Sequence, residues 1–246
     1  MSDMIICPSG LAGTIRGLKG KEGTLLADRA AAKSGATFEK ILAACWLSTD
    51  DPGPYQVEEG KPLGWSKVLV ADRFYTLLQI RALTFGDGYA FSVQCAAASC
   101  RERFEWELKL SELPVRALSE EALEAFTTGN RLETRLPHDG RKVWFRLLTG
   151  ADEQRAAKSL KAGQDGLLQA ALLARIVEIE GVAEKERRKF LDEMELADQV
   201  ALLDRFDEAD GGVETRIEVE CPACLSVQEI DLPFERGFFL PRAKAA

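Results

Sequence analysis

The chain has 246 residues, is 46% hydrophobic and 29% charged, and carries a formal net charge of −8. That composition is typical of a globular protein that can bury a sizeable core, either as one large domain or as two interleaved ones. It argues against a membrane protein, because no uncharged run approaches the roughly 20 apolar residues of a bilayer span. The first residues lack the features of a signal peptide, so the sequence predicts a chain kept in a reducing cytoplasm.

Most of the excess negative charge lies in one predicted helical segment. Between Glu178 and Asp210 there are twelve acidic and five basic residues. An acidic chain is repelled by phosphate backbones, and no stripe of Lys and Arg interleaved with aromatic residues is present. The charge pattern therefore disfavours nucleic acid as a partner.

The first third of the chain is predicted to be mainly helical. Residues 1–20 are rich in glycine and predict an extended N-terminal arm. Hydrophobic periodicity then predicts a helical region over 21–88. Its helices are expected at 22–33, 37–47 and 66–85.

Two stretches of alternating apolar and polar residues, 89–110 and 213–232, predict two β-hairpins. The region between them, 111–212, predicts one more hairpin, which turns at 137–140, and several helices. Those helices are expected at 120–126, 151–161, 166–178, 184–194 and 197–209. The chain ends in an apolar C-terminal tail, 233–246. Together these elements predict an α+β protein with a helical body.

A cysteine pair lies at the tip of each of the hairpins predicted at 89–110 and 213–232. Cys95-Ala-Ala-Ala-Ser-Cys100 lies in one and Cys221-Pro-Ala-Cys224 in the other, and the residues on both sides of the pairs resemble each other. Four thiolates are the ligands of a tetrahedral structural zinc site, which leaves no open coordination position. The sequence thus predicts a split zinc ribbon with a structural zinc held by Cys95, Cys100, Cys221 and Cys224. A metal-free relic, another soft metal and redox-active thiols remain as alternatives.

The remaining reactive side chains do not form a recognisable catalytic set. Cys7 and Cys45 have no paired partner, and Cys45 is expected to be a small core residue. His138 is the only histidine and lies in the predicted turn at 137–140. Phosphate-binding glycine loops and serine nucleophile elbows are absent from the sequence. We therefore expect no enzyme and no small-molecule substrate.

The C-terminal tail carries large apolar side chains beyond the last predicted strand. They are Phe234, Phe238, Phe239 and Leu240. Such a tail either packs back onto its own core or docks on a partner. The sequence leaves both possibilities open.

Several motifs together resemble contractile-tail bacteriophage baseplate proteins related to the baseplate hub assembly proteins of T-even phages. They are Asp72-Arg-Phe-Tyr-Thr-Leu-Leu-Gln-Ile-Arg-Ala-Leu-Thr-Phe-Gly86, the first cysteine hairpin with Phe104-Glu-Trp-Glu-Leu108, Phe145-Arg-Leu-Leu-Thr-Gly-Ala-Asp-Glu153, Val219-Glu-Cys-Pro-Ala-Cys224, and the ending Asp231-Leu-Pro-Phe234 with Gly237-Phe-Phe-Leu-Pro241. The resemblance covers residues 10–241 and includes members that bear a zinc ribbon, with the four paired cysteines as metal ligands. Four residues separate Cys95 from Cys100, a wider spacing than the resemblance implies for the first cysteine pair.

This resemblance implies a non-enzymatic role in baseplate hub assembly or as a structural baseplate subunit. The implied partners are other phage tail baseplate proteins, which the tail residues Phe234, Phe238, Phe239 and Leu240 would anchor. The implied location is the host bacterial cytoplasm during assembly, with retention in the virion tail baseplate left open. Two other functions compete with this one: a zinc-ribbon nucleic-acid-binding or transcription-associated protein, and a redox sensor that uses the cysteine pairs.

Overall fold

The computed structural model describes residues 2–27, 36–58, 60–162, 167–234 and 236–239. Its strands are β1 (Ser2–Ile6), β2 (Ala12–Arg16), β3 (Trp46–Asp51), β4 (Gly88–Gln94), β5 (Arg103–Lys109), β6 (Val115–Arg116), β7 (Leu132–Arg135), β8 (Lys142–Phe145), β9 (Ile176–Ile179), β10 (Gly212–Val213), β11 (Arg216–Glu220) and β12 (Val227–Asp231). Its α-helices are α1 (Gly20–Ala27), α2 (Ala36–Cys45), α3 (Val70–Phe85), α4 (Glu120–Thr127), α5 (Gly150–Ala162), α6 (Leu167–Arg175), α7 (Arg187–Glu193), α8 (Leu196–Asp210) and α9 (Arg236–Phe239). This mixture of helices and small sheets confirms the α+β class.

The residues predicted as an extended arm form β1 and β2, which join β3 in a three-stranded antiparallel sheet with the order β1-β2-β3. Ile5 and Ile15 point from this sheet into the core. Strand β3 was not expected. The helix predicted to reach residue 47 ends at Cys45, and the residues that follow pair with β2. Gly13 permits this pairing, since a Cβ there would lie 2.2 Å from the Trp46 ring.

The central helix α3 separates two buried clusters. It begins at Val70, later than predicted, after a 3-10 turn at Trp65–Lys67. Leu77 and Ile80 face the larger cluster, the main-body core, and Leu78 faces the smaller one, the hairpin core. The hairpin core consists of Leu78, Tyr89, Phe91, Val93, Leu110, Leu113, Val219, Leu232 and Phe238. The main-body core contains the buried residues of β1, β2, α2 and the region from Leu118 to Ala209.

A buried polar network fastens the N-terminal loop to the start of α3. The Asp72 carboxylate accepts hydrogen bonds from the Ser9 backbone N–H (3.0 Å), the Ser9 hydroxyl and the Tyr55 hydroxyl (2.6 Å). Asp72 is completely buried, and this burial raises the pKa of its carboxyl despite those hydrogen bonds. The network fixes β1, β2 and the loop at residue 55 against α3.

The predicted hairpin between the two cysteine pairs is part of a three-stranded sheet with the order β7-β8-β9. The helix expected over 166–178 ends at Arg175, because Ile176 and Ile179 pair with β8 as strand β9. The chain expected as one strand from Val213 onward is divided. Strand β10 pairs with β6, whereas β11 pairs with β12.

Several predicted helices lie close to their expected positions. Helices α4 and α8 coincide with the stretches predicted at 120–126 and 197–209 to within a residue or two. The helix predicted at 22–33 is described as far as Ala27, and its last part lies outside the described residues. Ser119 caps α4, because its hydroxyl accepts the Ala122 N–H at 3.1 Å. Among the described residues, no helix is both long and apolar enough to cross a bilayer.

Candidate metal centre

The four paired cysteines lie at the tips of two antiparallel hairpins, β4–β5 and β11–β12, which we call the hairpin unit. Tyr89, Phe91 and Val93 alternate along β4 and are buried between the two hairpins and α3. Val219 on β11 enters the same core. The apolar periodicity of both hairpins therefore turns one face of each toward the other, and their tips meet.

The sulfur atoms of Cys95, Cys100, Cys221 and Cys224 lie within 4.8 Å of one another. Between the hairpins, the Cys95 and Cys224 sulfurs are 3.6 Å apart and the Cys100 and Cys221 sulfurs are 3.8 Å apart. A tetrahedral zinc with Zn–S bonds of about 2.3 Å places its sulfurs about 3.8 Å apart. All four cysteines are free thiols. The cluster thus has the donors and the spacing to hold one metal ion.

The two cysteine turns share a backbone conformation despite their different lengths. In the second turn, the Leu225 N–H donates to the Cys221 carbonyl at 2.8 Å; in the first, the Arg101 N–H donates to the Ala97 carbonyl at 3.2 Å. Arg101 and Leu225 each follow the second cysteine of a pair and have φ of 56° and 59°. Ala97 therefore occupies the position of Cys221. Cys95 lies two residues farther back, directly after the last residue of β4.

Backbone N–H groups point at the sulfurs of both turns. The amide of Ala97 donates to the Cys95 sulfur, and the amide of Glu102 donates to the Cys100 sulfur. Burial desolvates Cys221, but the amides of Cys224 and Ala223 donate to its sulfur, and the pKa of this thiol falls to about 7. These donors favour the thiolate, which is the form that binds a metal. At Cys95 and Cys100, however, burial and the neighbouring sulfurs outweigh the backbone donors, and the pKa of both thiols is raised, that of Cys100 to about 12.

The C-terminal tail lies at the base of the hairpin unit. The Tyr89 hydroxyl donates to the Pro233 carbonyl at 2.6 Å, which ties the tail to the first hairpin. Phe238 is completely buried in the hairpin core, with its ring 4.9 Å from that of Tyr89. The buried Arg81 guanidinium lies against both rings, and burial lowers its pKa.

The four tail residues singled out from the sequence differ in their surroundings. Phe238 packs on the chain's own core, and Phe239 is partly buried against both cores. Phe234 stays 38% exposed, with its ring 4.7 Å from Phe74. Leu240 lies outside the described residues.

An apolar cleft of about 290 Å³ adjoins Phe234, and sequence analysis did not anticipate it. Its walls come from the start of α3, the end of β8 and the turn into β10. They include Val70, Phe74, Leu147, Val213 and Phe234. These residues are far apart in the sequence, so no local pattern could have indicated the cleft.

The other candidate residues have structural roles. Cys45 is completely buried in the main-body core, which confirms its predicted role, and burial raises its pKa to about 11. Burial also raises the pKa of Cys7, to about 12. His138 lies in the turn between β7 and β8, where its backbone N–H donates to the buried Asp198 at 2.8 Å. None of the three lies in the cysteine cluster.

Comparison with known proteins places this architecture in a family. Neither the curated proteins nor the solved structures gave a match. The family model described as T4 bacteriophage base plate protein matches residues 21–239, which is most of the chain and includes both cysteine pairs. The chain therefore belongs to the T4 bacteriophage base plate protein family.

Proposed function

We propose that this chain is a non-enzymatic baseplate protein that acts through contacts with other phage tail baseplate proteins. Its membership of the family over residues 21–239 is the observation that carries the proposal. Two roles agree with it: a factor in assembly of the baseplate hub, or a structural subunit. Assembly takes place in the host bacterial cytoplasm, and in the second role the chain remains in the virion tail baseplate.

We also propose that the hairpin unit is a split zinc ribbon. Four thiols whose sulfurs lie within 4.8 Å of one another are typical of structural zinc, and backbone N–H groups point at three of these sulfurs. When bound, zinc would cross-link the two hairpins through Cys95, Cys100, Cys221 and Cys224. A closed site of four cysteine ligands has no position for a substrate, so its role is mechanical. In zinc-finger peptides such binding contributes on the order of 10 kcal/mol to folding.

Metal analysis of the purified protein tests the zinc proposal. We expect one zinc per chain by native mass spectrometry and elemental analysis, and its loss in the double variant Cys95→Ser/Cys221→Ser. Cys45→Ala is the matched control, because this cysteine is buried away from the cluster. Absence of zinc from the native protein, or full zinc content in the double variant, would contradict the proposal.

We propose further that the tail forms a partner-binding surface with Phe234, Phe239 and Leu240, while Phe238 lies in the core beneath it. Phe234 is the described member of this set that a partner can reach most directly, since it is exposed beside the apolar cleft. Buried Phe238 would support the surface from below, because its ring lies 5.1 Å from that of Phe234. An apolar side chain of another baseplate protein would then enter the cleft and pack on Phe234.

Co-expression with other phage tail baseplate proteins tests this surface. Deleting residues 233–246 would also remove Phe238 from the hairpin core, so a point variant gives a cleaner result. We expect Phe234→Ala to reduce co-purification at least tenfold while thermal stability stays near native. Phe85→Ala is the control, since this ring is exposed to a similar extent, 42%, at the end of α3. Undiminished association of Phe234→Ala would refute the proposed surface.

A further inference from the structure

The side chain of Gln228 bridges the two cysteine hairpins. Gln228 lies on β12, opposite Val219 on β11. Its Oε1 accepts the Ala96 N–H at 2.6 Å, and its Nε2 donates to the Gln94 carbonyl at 3.1 Å. Both partners belong to the other hairpin and are the immediate neighbours of Cys95. The side-chain amide of Gln228 therefore binds the backbone on both sides of Cys95.

The two hydrogen bonds from Gln228 are made at the free edge of β4, the edge that faces away from β5. The Cys95 N–H donates to the Glu102 carbonyl at 2.8 Å, so this residue faces its own hairpin partner, β5. Backbone groups alternate in direction along a strand, and the Gln94 carbonyl and the Ala96 N–H must therefore point away from β5. A neighbouring parallel strand would bond both of these groups through a single residue. Gln228 takes that place with its side-chain amide, which offers the same acceptor and donor as a peptide group.

The longer first turn explains why such a contact is needed there. Cys221 begins its turn and accepts the closing hydrogen bond from Leu225, whereas in the first turn Ala97 accepts the equivalent bond from Arg101. Cys95 precedes that closed turn by two residues, so its own hairpin holds it through the bond from its N–H to the Glu102 carbonyl and not through the turn. Gln228 adds a second contact beside Cys95 from the opposite hairpin.

The internal repeat of the sequence points to the same residue. Phe104 lies opposite Val93 in the first hairpin, as Gln228 lies opposite Val219 in the second. The half-buried Phe104 packs against the hairpin core. At the equivalent place in the second hairpin the chain carries a polar amide, and this amide reaches across to Cys95.

We propose that Gln228 is a positioning residue for the metal centre: its amide holds the β4 end so that the Cys95 thiolate joins the other three. This inference rests on the proposed zinc site and adds a function for a residue outside the four ligands. It makes the site largely preformed, because the two hairpins are joined beside Cys95 without the metal. Loss of the amide should weaken metal binding more than it weakens the fold.

The test uses the full chain and two matched variants. Gln228→Met keeps the length of the side chain but removes both hydrogen bonds. Gln199→Met is the control, since the Gln199 amide likewise bonds two backbone groups. It is buried and donates to the carbonyls of Leu191 (3.0 Å) and Met194 (3.3 Å), far from the cysteines in sequence. The readouts are zinc affinity by competition with a chromophoric chelator, the Co²⁺–thiolate absorption spectrum, and the thermal midpoint.

We expect Gln228→Met to bind zinc 10- to 100-fold more weakly, the usual effect of losing a contact that orients a metal ligand, and to alter the Co²⁺ spectrum. Gln199→Met should lower the thermal midpoint and leave zinc affinity unchanged. Native zinc affinity in Gln228→Met, or equal losses of affinity in both variants, would overturn the inference while leaving the zinc site intact. A native protein that binds neither Zn²⁺ nor Co²⁺ would overturn both.

Discussion

The main-body core and the hairpin core lie on opposite sides of α3, and different elements of the fold enclose them. The main-body core is covered by helices and by two three-stranded sheets. The hairpin core lies between α3, α9 and the two separate two-stranded sheets β4-β5 and β11-β12. A two-stranded hairpin is only marginally stable by itself, because it buries little apolar surface. The comparison indicates that the hairpin unit, with the smaller core, would gain more stability from the proposed cross-link than the main body would.

Polar contacts follow the same division. In the main body, buried charged groups have partners within the fold: Asp72 is bonded by Ser9 and Tyr55, and the Arg73 guanidinium donates to Glu153 at 2.9 Å. In the hairpin unit, polar links between the hairpins include the cysteine sulfurs and the Gln228 amide. A ligand that joins the sulfurs would thus act on the region with the smaller core.

The largest expected effect is selective opening of the hairpin unit when the metal is removed. Loss of binding energy on the order of 10 kcal/mol should free the tips of both hairpins. With a strong chelator, amides of β4, β5, β11 and β12 should exchange with deuterium much faster, while those of α2 and α8 stay protected. Hydrogen–deuterium exchange with mass spectrometry measures this. Equal deprotection of both regions would show that the hairpin unit and the main body unfold as one.

A large truncation in the main-body core should have the opposite selectivity. Phe145 is completely buried, with its ring 4.9 Å from that of Phe206. We expect Phe145→Ala to lower the free energy of unfolding by about 3–5 kcal/mol through lost burial and a cavity. Zinc content should not change, since Phe145 does not belong to the hairpin core.

Denaturant unfolding and metal analysis of the same sample measure both quantities. Phe85→Ala, at an exposed ring, should cost less than about 1 kcal/mol. A Phe145→Ala protein that folds but lacks zinc would remove the distinction between the two regions.

The candidate site was more predictable from the sequence than the fold around it. The cysteine pairs carry their chemistry in local spacing, and the repeated flanking residues indicate that the two hairpins belong together. The alternation of apolar and polar residues along β4 and β11 indicated which faces of the two hairpins pack together. Gln228 was not predicted, because its role depends on the distance to the other hairpin and not on its own neighbours.

The missed strands have a physical explanation. Strand β3 ends in Asp50 and Asp51, and aspartate is depleted in strands; its pairing with β2 supplies what local propensity lacks there. Strand β9 continues the apolar pattern of α6 without a break, so periodicity could not separate the two. The position of Phe238 depended on long-range packing in the same way. The sequence left it open between core and partner, and it lies in the core.

A smaller effect is expected at Glu22, which supports the N-terminal sheet of the main body. The Arg16 guanidinium, 2.9 Å away, is the main cause that lowers the pKa of this buried carboxyl to about 2, and the Lys19 N–H adds to it. A depressed pKa in the folded state stabilises the protein above the unfolded pKa near 4.3, and this stabilisation is lost as pH falls toward 2. Glu22→Gln should therefore cost on the order of 3 kcal/mol at pH 7.

Urea unfolding of Glu22→Gln and the native chain between pH 7 and pH 3 measures this dependence. The gap between the two proteins should be constant above about pH 5 and shrink below it. Lys21→Gln is a control, because Lys21 is exposed and lies 3.7 Å from the same carboxylate. A gap that does not change with pH would assign the loss to packing instead of charge.

The smallest expected effect is a gain in stability at the tip of the hairpin unit. Leu225 has φ of 59° and is 69% exposed, so its side chain buries little to offset a left-handed backbone that costs a non-glycine residue about 1–2 kcal/mol. Leu225→Gly removes this strain but increases the freedom of the unfolded chain, and the net gain should be about 1 kcal/mol or less. Slower deuterium exchange of β11 and β12 in the zinc-loaded protein would reveal it.

Val227→Gly, two residues farther on and 57% exposed within β12, should speed exchange instead, because glycine weakens a strand whose backbone is already relaxed. If Leu225→Gly also speeds exchange, the leucine side chain stabilises the tip by more than its exposure indicates.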